Sequence, residues 1–83
     1  MSALDWKEIA PGQAEAISRD LVATYTITEV PVSKRESRFQ IQITTEVGSR
    51  VFPQSFRTMS EAQRACQNHL NRWRREARRF IGL

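Results

Sequence analysis

The sequence predicts an α+β fold: an antiparallel sheet of three to four strands with one long C-terminal amphipathic helix packed on one face. Two period-two segments, a capping-box signal, and the turn residues between them predict it. Residues 21–30 set Leu21, Ala23, Tyr25 and Ile27 against Val22, Thr24, Thr26 and Thr28, an alternation rich in β-branched side chains that fits a strand with one buried face. Residues 38–47 repeat the pattern, with Phe39, Ile41, Ile43 and Thr45 against Arg38, Gln40, Gln42 and Thr44. Thr58 and Glu61 then have the spacing that closes the first turn of a helix.

Taken in order, residues 1–12 form an N-terminal arm ended by the turn pair Pro11-Gly12. Residues 13–20 fit a short strand or a helical turn equally well, because Ala14, Ala16 and Ile17 favour neither. Pro31 ends the first clear strand, and residues 32–37 make a charged loop around Lys34 and Arg35. Gly48-Ser49 turns the second strand into a third, residues 50–57. Pro53 cannot donate to a ladder and places that strand at a sheet edge or on a bulge. The sheet is expected over residues 21–57 and the helix over 58–82, with Gly82 at its stop.

On the helix, Met59, Ala62, Cys66, His69, Leu70, Trp73, Ala77, Phe80 and Ile81 share one flank. Arg64, Asn68, Asn71, Arg72, Arg75, Arg78 and Arg79 share the other. A strand of about eight residues spans about 26 Å and this helix about 34 Å, so the helix should overhang the sheet. Trp73, Phe80 and Ile81 lie toward the overhang, to be covered by the Trp6–Ile9 arm or by a second copy in a homodimer.

Eighty-three residues with 40% hydrophobic content make one small domain, residues 1–83. The first residues lack the basic and apolar regions of a secretion signal, and no apolar run approaches the roughly 20 residues of a membrane span, so a complete, soluble, cytoplasmic product is expected. Net charge is +4, and its placement is uneven. Residues 57–83 hold seven arginines against Glu61 and Glu76. Arginine suits forked contacts to phosphate or carboxylate, although a solvated helix face with arginines near its C-terminal end would read the same way.

Catalysis is not expected. The chain has one His and one Cys, Cys66 and His69 lie three apart on the apolar helix flank, and buried packing fits them better than a thiolate–imidazole pair. Gly12, Gly48 and Gly82 stand singly and form no phosphate loop, and no spacing suggests a metal or other cofactor. Binding is expected at one of two surfaces. The outer sheet face would carry Lys34, Arg35, Arg38, Gln40, Gln42, Thr44 and Arg50, side chains able to reach base edges and phosphates. The basic helix face would carry Arg64, Arg72, Arg75, Arg78 and Arg79.

The passage Phe56-Arg57-Thr58-Met59-Ser60-Glu61-Ala62, joining a last strand to a helix after three strands, resembles the arm-binding N-terminal domain of phage tyrosine-recombinase integrases over about residues 21–75. That resemblance implies a sheet entering the major groove of DNA, with Arg38, Gln40, Gln42 and Thr44 as contacts. The same passage is similar to one in small phage and prophage proteins, some of which inhibit host proteins. The expected function is therefore a non-enzymatic DNA-binding module using the sheet face, the alternative being a phage-type accessory whose arginines occlude an acidic host protein surface.

Overall fold

The computed structural model describes residues 3–80, with side chains through residue 77. Its elements are β1 (Lys7–Ala10), β2 (Gln13–Ser18), β3 (Ala23–Pro31), β4 (Ser37–Thr45), β5 (Gly48–Phe56) and α1 (Met59–Phe80). The strands form one antiparallel sheet in the order β1-β2-β3-β4-β5. The α+β class stands, and the count of three to four strands is corrected to five. The two extra strands come from the supposed arm and the ambiguous segment after it, which fold as a hairpin.

Pro11 and Gly12 turn that hairpin, with Gly12 at φ 73°. A Cβ at Gly12 would lie 2.8 Å from Glu29 Oε1, and the Glu29 N–H donates to the Gly12 carbonyl at 2.8 Å, so glycine serves both the turn and its close approach to β3. In β2, Ala14, Ala16 and Ser18 are buried while Ile17 is 59% exposed. The largest apolar side chain of the strand thus faces outward. Val22 closes the next turn at φ 50°, a strained backbone for a β-branched residue.

The core lies between the inner face of β3 and β4 and one stripe of α1: Tyr25, Ile27 and Ile41 are fully buried with Ala62, Cys66 and Leu70, and Ile43 nearly so. Phe39, Phe52, Phe56 and Trp73 pack around this cluster. β5 pairs Ser55 with Gln40 and Val51 with Gln42, so three of its residues, Phe52, Pro53 and Gln54, oppose Ile41 alone. Pro53 therefore sits on an edge strand and within a bulge, where its missing N–H breaks no necessary pair. The Glu61 N–H donates to Thr58 Oγ1 at 3.1 Å, which is the expected cap.

Two contacts fasten the flank of α1 facing the sheet's N-terminal side. The Leu4 N–H donates to Gln67 Oε1 at 2.7 Å, and Leu4 and Trp6 pack against the core. Arg74 grips Asp20 in the β2–β3 turn, Nε to Oδ2 at 2.7 Å and Nη2 to Oδ1 at 3.1 Å. Trp73 lies on the other flank of Leu70, beside His69, so the arm covers a different side of the helix from the one expected. Of the suggested homodimer patch, Trp73 is partly buried on the core, whereas the Phe80 side chain and Ile81 lie outside the described residues.

Hydrogen bonds from Arg74 and Ser18 hold the Asp20 carboxyl well below the usual carboxylate range. His69 is shifted downward from 6.5, by burial and then by the Arg72 charge, with Glu76 opposing. Both lowered values make the unfolded chain the better proton acceptor, so both give stability that is present at higher pH and lost on acidification. Two acid steps are expected in urea-unfolding stability. One begins below about pH 6.5 and disappears in His69→Leu; the second begins near pH 3.8, the ordinary value for Asp20, and disappears in Asp20→Asn. Because Asp20 is half exposed, with its side chain 52% accessible, the pair should be worth no more than about 1 kcal/mol.

Candidate functional site

The strand registers divide the side chains between the two faces of the sheet. Thr24 opposes Thr44, Thr26 opposes Gln42 and Thr28 opposes Gln40; on the β2 side these rows continue into Ile17, Glu15 and Gln13, and on the β5 side into Ser49, Val51 and Ser55. The outer face is thus a lattice of Thr, Gln and Ser interrupted by apolar Ile17 and Val51. It carries little net charge. Lys7 opposes Glu15, and Arg38 pairs with Glu36 at 3.1 Å.

Among the residues expected on this face, Arg38, Gln40, Gln42 and Thr44 do lie there, and Gln40, Gln42 and Thr44 are exposed. Thr44 Oγ1 shares a hydrogen bond with Ser49 Oγ at 3.1 Å. Lys34 and Arg35 are exposed in the β3–β4 loop, at the Arg38 end of the sheet. Arg50 is a correction: it pairs with buried Ile43, so it belongs to the helix side and not to the outer face. The bulge between Val51 and Ser55 adds two residues and so keeps the alternation, which sets Arg50 on the same side as Phe52 and Phe56. Glu15 of the unforeseen β2 adds an acidic side chain to the middle row of this face.

The helix face is different. Arg64, Arg72 and Arg75 are exposed and, among the described residues, none makes an ion pair. Arg64 and Arg75 are eleven residues apart, about 16 Å along the axis, with Arg72 between them on the same broad face. The side chains of Arg78 and Arg79 lie outside the described residues. Arg74, absent from the sequence-based sites, is engaged with Asp20; helical spacing put it beside Leu70, but only the fold brings Asp20 within reach.

A third feature was not foreseen. Where α1 passes the tip of the β4–β5 hairpin, an open cleft of about 530 Å³ lies between Val47 and Arg50 on the hairpin and His69, Arg72, Trp73 and Glu76 on the helix, with Ile43 also lining it. Phe52 and Trp73 flank the His69 ring, with centroids 5.2 and 5.9 Å away. Tyr25, fully buried, has its phenol oxygen 2.8 Å from His69 Nδ1. Burial, reinforced by the nearby Cys66, keeps the phenol protonated, and the phenol shares this hydrogen bond with the His69 ring. Burial also pushes the Cys66 thiol up to about 12, a value that disfavours the thiolate needed for nucleophilic chemistry. His69 is thus partnered with Tyr25.

Breaking this bond from one side should cost more than removing it whole. His69→Leu strands the buried Tyr25 hydroxyl and is expected to cost about 1–3 kcal/mol, while the same change in a Tyr25→Phe background should cost distinctly less. Chemical denaturation of the four proteins of this cycle provides the check. Among the described residues no group of three or more His, Cys, Asp or Glu is placed to hold a metal ion, and no helix is long and apolar enough to cross a membrane.

The chain matches no protein-family model, no curated protein and no solved structure. Fold and surface are therefore what bear on function.

Proposed function

We propose that the protein is a non-enzymatic, cytoplasmic nucleic-acid-binding module, acting on DNA, that holds the phosphate backbone with the outward face of α1. The observation that carries this reading is the alignment of Arg64, Arg72 and Arg75, exposed and without ion pairs among the described residues. Guanidinium forks match phosphate geometry, and neutralising phosphates releases condensed counterions, the main source of sequence-independent affinity. The sheet face expected from the sequence supplies less of this force, since Lys7 stands opposite Glu15, Arg38 pairs with Glu36, and Lys34 and Arg35 lie in the loop at one end rather than over the central rows. Its Gln and Thr side chains lie on the far side of the sheet from the helix, so one duplex can hardly engage both surfaces.

Titrating fluorescently labelled duplex DNA at about 50 mM salt tests the proposal, because non-specific phosphate binding is strong under those conditions. The phage-type accessory remains the second reading. It is favoured by the exposed apolar side chains Ile9, Ile17 and Val51, surface that a polynucleotide would leave uncovered and a host protein would bury. Recovery of one stoichiometric acidic protein, with no nucleic acid, from the source cell would favour it.

A further inference from the structure

Resting on the nucleic-acid reading, we propose that the cleft between the β4–β5 hairpin tip and α1 receives an unpaired base, so that the protein favours single-stranded nucleic acid over duplex. The geometry points there because Arg72 borders two surfaces at once. By helical spacing it lies on the edge of the arginine face, and it also lines the cleft together with Trp73, the next residue, about 100° around the helix on the core-facing flank. A strand whose phosphates follow Arg64, Arg75 and Arg72 has the cleft immediately beside it.

The lining suits a base and its phosphate. Trp73 offers a flat aromatic surface of the kind on which any base stacks, and it is held by His69, which is fixed in turn by Tyr25 and Phe52. Arg50, turned to this side of the sheet by its pairing with Ile43, stands across the opening from Arg72; the Glu76 carboxylate also lines the helix bank, so the two arginines outnumber one anion for the phosphates on either side of an inserted nucleotide. Val47, 98% exposed, is an apolar side chain at the hairpin tip with no packing role, placed to cover the second face of a base. A volume of about 530 Å³ falls within the range of sites that enclose small ligands. A base paired within a duplex cannot enter: it would have to leave its stack, and the energy needed to do so is least for a base that is already unpaired.

The test is a pair of anisotropy titrations with a labelled mixed-sequence oligonucleotide of about 12 nucleotides, single-stranded and annealed to its complement. They are run on the wild type, Trp73→Leu and Val47→Glu. Trp73→Leu removes the stacking surface, while Val47→Glu puts an anion at the cleft mouth from a side chain that contributes nothing to folding. The wild type should bind the single strand at least about tenfold more tightly than the duplex, and both variants should lose that preference while keeping duplex binding. Equal binding of the two forms, or a preference that survives Val47→Glu, would overturn the base pocket and leave the arginine face intact. Failure to bind either form would overturn both.

Discussion

Replacing Leu70 with Ala is expected to destabilise the protein by about 2–5 kcal/mol. Leu70 is fully buried on the stripe of α1 that meets β3 and β4, in one cluster with Tyr25, Ile27, Ile41 and Cys66. Truncation loses the transfer energy of the removed carbons and leaves a cavity that a sheet and a helix pinned at Thr58, Gln67 and Arg74 cannot easily close. A chain of this length has about 4–12 kcal/mol in all, so the variant should melt at least about 10 °C lower and unfold near ambient temperature at the upper end of the range. Ile17→Ala is the contrasting case. With Ile17 59% exposed on the outer face, that change should stay within about 0.5 kcal/mol. Urea midpoints at unchanged slope would establish both values.

The second large effect concerns binding. Changing Arg64, Arg72 and Arg75 together to Gln should leave folding intact, because all three are exposed and unpaired among the described residues, and should abolish most of the affinity for DNA. Each lost phosphate contact lowers the slope of log affinity against log salt by about 0.9 on duplex, so three contacts account for a factor of about 40 between 50 and 200 mM salt. Changing Arg38 and Gln42 should do little by comparison. Arg38 already has Glu36 as a partner, and the outer face has no further unopposed cation in its central rows.

The core could be read in the sequence because burial there follows a simple period. Tyr25, Ile27, Ile41 and Ile43 alternate, Cys66 and Leu70 recur at helical spacing, and Thr58 caps the helix as its spacing with Glu61 implies. The β1–β2 hairpin escaped because its pattern is inverted: alanines and Ser18 face the core, while Ile9 and Ile17 face outward. That omission also hid Glu15 and so overstated how basic the outer face would be. Arg50 was legible too: two extra residues in β5 preserve the alternation, and its even spacing from Phe52 and Phe56 puts it on their side of the sheet. The arginines of α1 were legible as a face, whereas the cleft was not, since it arises from a hairpin tip and a helix turn about twenty residues apart that only the fold brings together.

Phosphate binding by α1 is read out by the salt dependence of duplex DNA binding by the wild type and by the variant with Arg64, Arg72 and Arg75 changed to Gln. The wild type should bind at about 50 mM salt, with a steep negative slope that flattens by about 2.7 in the variant. A slope and affinity indifferent to those three arginines, or no binding of duplex or single strand at that salt, would contradict it.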